Sequence, residues 1–342
     1  RKSASSGSLN AGRGPGSPTL ARRSSMMHTH VEKSIANQIK ELQKLLEVER
    51  AQRALGRTDS SAAKPASRLI IVANRLPVSL SRLPSGDWNA DLSAGGLVSA
   101  LMGIRDIEML WVGWCGKEVP EAEQRDVAEQ LQSLLQCVPV FLDQATADLY
   151  YDGFCNNVLW PLLHYVPLSS LGTAVKQGEW DAYCKANAMF AKSVAAIATD
   201  SDMVWIQDYH LMLMPQMLRD RRPRLKIGWF LHVPWCAAEV YATFPRRKEV
   251  LRGLLGADLI GFHVYDYARH FTESLTHVMG VEVSVHRGAH VRDHVRGHAL
   301  SVGIFPIGID PPRFSAAMDS LEVKDKIIDV KRRFDGKLVV LG

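Results

Sequence analysis

The sequence lacks paired cysteines. Its five, Cys115, Cys137, Cys155, Cys184 and Cys236, stand singly with no CxxC among them. That excludes a structural zinc site of the usual spacing and a disulfide framework, and it fits a reducing compartment. No apolar run approaches the roughly 18 residues that span a bilayer, so no membrane helix is expected. There is no GxGxxG and no P-loop, which argues against a standard dinucleotide or ATP site. The body also lacks basic excess. Residues 1–68 hold 13 Lys+Arg against 5 Asp+Glu, and the remainder 28 against 31, so the chain's net +5 belongs to its beginning. A basic body would have pointed to nucleic acid; a basic tail does not. At 46% hydrophobic and 23% charged, the 342 residues have the composition of a globular protein of one large or two ordinary domains.

Three stretches differ in character. Residues 1–30, rich in Ser, Gly, Arg and Pro, have too little apolar area to offset the entropy of ordering and are expected to be disordered. Within 31–55, Ile35, Ile39, Leu42 and Leu46 form a 4-3-4 apolar stripe, a short amphipathic helix. Short isolated helices are marginal in water, so it docks on the body or stays frayed; a regulatory or homo-oligomerising helix is the alternative. The body begins at Arg68.

There Leu69–Ala73 is a continuous apolar run, as in a strand buried on both faces of a parallel sheet. Similar runs recur at Met109–Val112, Val138–Leu142, Met203–Ile206, Lys226–Leu231, Leu259–Phe262 and Leu300–Ile304. Helical patterns at Arg125–Leu135, Trp180–Ala198 and Lys248–Leu255 alternate with them. Alternating strands and helices predict an α/β, Rossmann-like, doubly wound domain.

In such sheets ligands bind beyond the carboxyl ends of the strands. Asn74-Arg75 follows the first run, Gln207-Asp208-Tyr209-His210 the fourth, His232-Val233-Pro234 the fifth and Phe305 to Asp310 the last. An arginine, an aspartate and two histidines thus converge on one rim. Gly95-Gly96 precedes a helical pattern, where bare amides can bind an anion. Tyr150 to Pro161 is dense in aromatics and Asn, which can pack a core or stack on sugars. Asp200-Ser201-Asp202 matches a metal-nucleotide pattern but precedes a strand, so it reads as a turn.

Together these segments resemble the trehalose-6-phosphate synthases. The motifs are Ala73–Val78, Ser93–Leu101, Trp111–Trp114, Tyr150–Tyr165, Trp205–Leu211, Phe230–Pro234, Gly261–Phe271 and Phe305–Asp310. The likeness runs from Arg68 to Gly342, and the basic extension resembles the catalytic class of plant-type enzymes. The resemblance implies a two-lobed GT-B fold, with 68–335 as the N-terminal acceptor lobe. Residues 336–342 would be the first strand of a donor lobe lying beyond Gly342, and the chain by itself would be inactive. It implies transfer of glucose from UDP-glucose to glucose 6-phosphate in the cytoplasm, with retention, no cofactor and no metal. Carried over by position, Arg75 and Tyr151 hold the acceptor phosphate, and Trp160, with Trp114 as a further candidate, lines the acceptor sugar. Asp208 binds sugar hydroxyls, His232 sits near the transferred glucose, and Gly96 offers its N–H to the UDP diphosphate. Asp208 and His232 are the catalytic pair on this view. Two departures stand out: Gln207 where the family often has His, and Trp235-Cys236 where it usually has Phe-Pro.

Two other classes remain open. One is a sugar-phosphate sensor that keeps the acceptor lobe without turnover; the other is a hydrolase with a metal on Asp208, His210 and His232. The four histidines within 284–298 are expected in a solvated loop.

Overall fold

The structure is a computed structural model of the chain. It describes residues 68–92, 107–166, 175–285, 289–293, 298–308 and 311–340. The helix expected within 31–55 and the Gly95-Gly96 turn, with Gly96, lie outside these residues.

Nine strands form one sheet in the order β5-β4-β1-β6-β7-β8-β11-β10-β9. They are β1 (Leu69–Arg75), β4 (Met109–Trp114), β5 (Cys137–Val140), β6 (Met203–Gln207), β7 (Lys226–Leu231), β8 (Leu259–Phe262), β9 (Glu282–Val285), β10 (Ala289–Asp293) and β11 (His298–Ile304). All seven apolar runs are strands, and those seven are mutually parallel. In β1, Ile70, Ile71 and Val72 are wholly buried; each such side chain contributes roughly 1.5–3 kcal/mol. β9 and β10 extend one edge antiparallel. The segment expected as a loop is therefore largely an edge hairpin, because the edge of β11 offers unpaired backbone groups that a neighbouring strand satisfies.

The helices expected from periodicity are α1 (Glu121–Leu135), α3 (Gln177–Ile197) and α5 (Arg247–Leu254). Along α3, Trp180, Tyr183, Asn187, Phe190 and Val194 share the buried face. Between β5 and α3 lies a continuous helical segment, α2 (Gln144–Leu163), wound as a π-helix from Asp148 to Leu159. The aromatic-rich stretch is this π-helix. α4 (Met214–Arg221) and α6 (Tyr265–Met279) complete the crossovers. Outside the sheet, β2 (Val78–Arg82) pairs with β3 (Trp88–Leu92) as a hairpin. α7 (Pro311–Met318) and α8 (Leu321–Arg333) follow β11, and α8 buries none of its residues. After it, Lys337–Val340, expected as a strand, carry no regular structure, with Leu338 95% exposed.

β1 lies mid-sheet, with β4 on one side and β6 on the other. The chain leaves β1 first toward β5, then returns past it to β6. That reversal makes a crevice at the carboxyl ends of β1, β4 and β6.

Candidate active site

At this crevice Arg75 is the last residue of β1 and lies exposed. Its guanidinium carbon stands 4.9 Å from the centre of the Trp114 ring, its partner in the β1–β4 register. Gly116, at φ +83°, leaves room for it: a Cβ there would fall 2.2 Å from an Arg75 nitrogen. Among the described residues no carboxylate or carbonyl accepts from the planar fork of Arg75 donors.

The adjacent carboxyl end, that of β6, carries Asp208. Its backbone sits at φ 68°, ψ 175°, a region almost reserved for glycine. Neighbours hold it there. Asp208 N–H donates to the Phe230 carbonyl at 2.7 Å, and the Trp229 indole donates to the Asp208 carbonyl at 3.1 Å. The carboxyl accepts from the His232 N–H at 3.3 Å. Burial pushes its pKa up to about 6, against the backbone N–H groups of Tyr209 and His232, which favour the charge.

His210 lies two residues on. Tyr209 stacks on its ring at 4.0 Å and Tyr151 at 5.6 Å. Burial depresses its pKa to about 3, so it is neutral, and its 4.0 Å approach to Asp208 is no ion pair. Trp160, 46% exposed at the end of the π-wound segment, lies 6.0 Å from Tyr209 and 4.0 Å from His164, ring centre to ring centre. His232, at the end of β7, places its Nε2 2.9 Å from Gln207 Oε1. Burial, helped by His263, lowers its pKa to about 4.

α3 fixes this loop. Tyr183 donates to the Tyr209 carbonyl at 2.8 Å and accepts from Met212 N–H at 3.1 Å. The Asn187 amide donates to the His210 carbonyl and accepts from the N–H groups of Leu213 and Met214.

Four buried side-chain polar atoms have no partner among the described residues: Asn74 Oδ1, Trp114 Nε1, His210 Nε2 and Glu179 Oε2. Three of the four sit at the carboxyl ends of β1 and β4 and in the loop after β6. A buried orphan of this kind costs about 1–3 kcal/mol.

Of the residues singled out from sequence, Asp208 and His232 meet through a hydrogen bond, and Arg75 and Trp114 through stacking. Tyr151 and Trp160 reach the same rim through His210 and Tyr209. Trp114 is buried beneath Arg75 rather than lining open space. Asp202 is structural, bonded to Arg68 and to the Thr199 N–H of its own turn. Among the described residues no three His, Cys, Asp or Glu gather as a metal site. Their cysteines are free, and no helix among them is long and apolar enough to cross a membrane. Sequence reasoning gave no role to Asn74, Tyr183 or Asn187. An asparagine within the apolar stripe of α3 was the readable signal.

A cavity of about 830 Å³ runs along β6, β7 and β8, lined by Trp205, Phe230, Phe305 and His263 and sharing His232 with the site. It does not include Arg75, Tyr151 or Trp160.

The family model for glycosyltransferase family 20 matches residues 67–342. The chain is 44% identical over 285 residues to the α,α-trehalose-phosphate synthase [UDP-forming] of Schizosaccharomyces pombe, covering 82% of this chain and 54% of that one. It is similar to the N-terminal domain of trehalose-6-phosphate phosphatase from Candida albicans, with TM-score 0.67 and 28% identity over 83% of this chain and 58% of that one. It is also similar to the UDP-forming synthase of Burkholderia xenovorans in complex with glucose 6-phosphate, with TM-score 0.60 and 25% identity over 76% and 55% of the two chains. The chain thus spans about half the length of these proteins. With the parallel sheet, its switch-point crevice and the match over 67–342, the chain belongs to glycosyltransferase family 20.

Proposed function

We propose that this chain forms the acceptor side of a UDP-forming α,α-trehalose-phosphate synthase, which transfers glucose from UDP-glucose to the anomeric hydroxyl of glucose 6-phosphate. The carrying observation is Arg75, exposed at the carboxyl end of β1, its guanidinium stacked on Trp114 and without an acceptor among the described residues. Arg75 takes the phosphate of glucose 6-phosphate through its planar fork, with Tyr151 beside it; a charged hydrogen bond of this type contributes roughly 1.5–3 kcal/mol. Trp114 backs the guanidinium and Gly116 gives it space. Trp160 offers a face to the acceptor sugar. Asp208, ionised at pH 7, accepts from sugar hydroxyls, and neutral His232 stands toward the transferred glucose. Gly96 would meet the donor diphosphate. No side chain acts as nucleophile; the departing phosphate takes the acceptor proton on the face where the new bond forms. The protein's part is positioning and charge stabilisation.

The similarity to a phosphatase N-terminal domain supports a second reading, a lobe that binds sugar phosphate without turnover. Calorimetry with glucose 6-phosphate and with glucose tests the site. Binding of the phosphate ester alone, lost in Arg75→Ala, is expected; equal binding of both sugars, or of neither, would overturn it. Glucose-6-phosphate-dependent release of UDP by the native-length protein then separates synthase from sensor.

A further inference from the structure

We infer that Gln207 is a positioning residue: it fixes His232 in the tautomer protonated at Nε2, so that Nδ1 is the nitrogen offered to a sugar hydroxyl. Gln207 closes β6 and is buried, 2% exposed. Its amide nitrogen donates to the Trp205 carbonyl at 3.3 Å, while its oxygen lies 2.9 Å from His232 Nε2. Turning the amide over would set two carbonyl oxygens against each other in a buried place. The orientation is therefore fixed by the strand itself. A carbonyl oxygen only accepts, so the ring nitrogen facing it carries the proton.

One backbone bond and two rings hold the residue further. The His232 backbone N–H donates to Asp208 Oδ1. The Phe230 ring lies 4.8 Å from it, centre to centre, and the His263 ring 5.5 Å. His263 Nδ1 accepts from the Ile307 N–H at 3.3 Å. Burial keeps His232 uncharged. Among the described residues nothing pairs with its Nδ1. A neutral imidazole has one donor and one acceptor, and which faces the ligand is decided by the partner behind it. A histidine at 207 could either donate or accept; the glutamine oxygen removes that choice. The sugar hydroxyl as ligand rests on the proposed glucosyl transfer.

The test is nitrogen NMR of the whole chain labelled at its histidines, with His232 assigned by its loss in His232→Gln. At pH 7 a protonated Nε2 and a bare Nδ1 are expected. Gln207→Leu gives a mixture of tautomers. Protonation at Nδ1 in the unaltered chain, or an unchanged pattern in Gln207→Leu, would overturn the inference. If Gln207→Leu does not fold, the unaltered chain still decides, since protonation at Nδ1 there overturns the inference. None of these readouts needs turnover. Failure of the glucosyl-transfer reading shows separately, as absence of glucose 6-phosphate binding with the tautomer intact.

Discussion

The two ends of the sheet use the same residue types in opposite ways. At the amino ends, Asp202 is 1% exposed and accepts five hydrogen bonds, from the Arg68 backbone and guanidinium and from Thr199. Arg219 likewise bonds Asp258 and the carbonyls of Gly256, Pro223 and Leu225. At the carboxyl ends, among the described residues, Arg75 meets an aromatic face and no acceptor, Asp208 is raised in pKa, and Asn74, Trp114 and His210 keep atoms without a partner. Among the described residues, one end meets its own hydrogen bonds and the other leaves several unmet. Charge alone therefore does not mark a site; unmet hydrogen-bonding capacity does.

The sharpest way to break this contrast is at its satisfied end. Asp202→Ala strands Arg68 and the turn amides, and should lower stability by about 3–5 kcal/mol in urea denaturation without changing affinity for glucose 6-phosphate in what folds.

Acid separates the ends next. Burial opposes the Asp202 charge, but the bonds from Arg68 and Thr199 outweigh it and hold its pKa to about 2. It stays ionised in both folded and unfolded chain until the pH nears 4. His210 behaves otherwise, held at about 3 when folded against 6.5 unfolded. The unfolded chain takes up that proton first as pH falls, so stability declines from about pH 6.5 downward. The loss should reach about 3 kcal/mol by pH 4.5. His210→Phe should remove that share of the slope, and an unchanged slope would count against the buried neutral ring.

Arg75→Ala is the converse of Asp202→Ala. It should weaken glucose 6-phosphate binding by about 10- to 150-fold, the equivalent of one charged hydrogen bond, while the urea midpoint stays within error. A large stability loss would place Arg75 among the structural arginines.

The smallest expected effect is the most diagnostic. Asp208→Gly relieves a backbone conformation that costs about 1–3 kcal/mol, offset by glycine's own entropy. The unfolding free energy in urea should hold or rise by about 1 kcal/mol while glucose 6-phosphate binding falls.

Much of this was legible from residues. The seven parallel strands announced themselves because burial on both faces demands unbroken apolar runs. Arg75, Asp208 and His232 followed from asking what succeeds each run. Val78–Arg82 alternates as a strand should, and Gly86, at φ +91°, marks its turn, yet the hairpin is too short to stand out from the loop after β1. The π-winding of Asp148–Leu159 has no such signature, since it is imposed by packing. Phe154 meets the rings of Trp180, Tyr183 and Phe244, and Gly153 lies close against Glu179. The orphaned atoms were not legible at all, because being without a partner is a property of the assembled neighbourhood and not of a residue.

The backbone of Asp208 also bears on how such a chain would drift over generations. On the role proposed for Asp208, a glycine there relaxes the fold and abandons the sugar. A lineage retained only as a stable body would slide downhill to glycine, whereas one retained for its chemistry must keep repairing the aspartate against that pull. On that role, the residue at 208 would work as a ratchet, its setting marking whether a chain is kept for its chemistry or only for its fold.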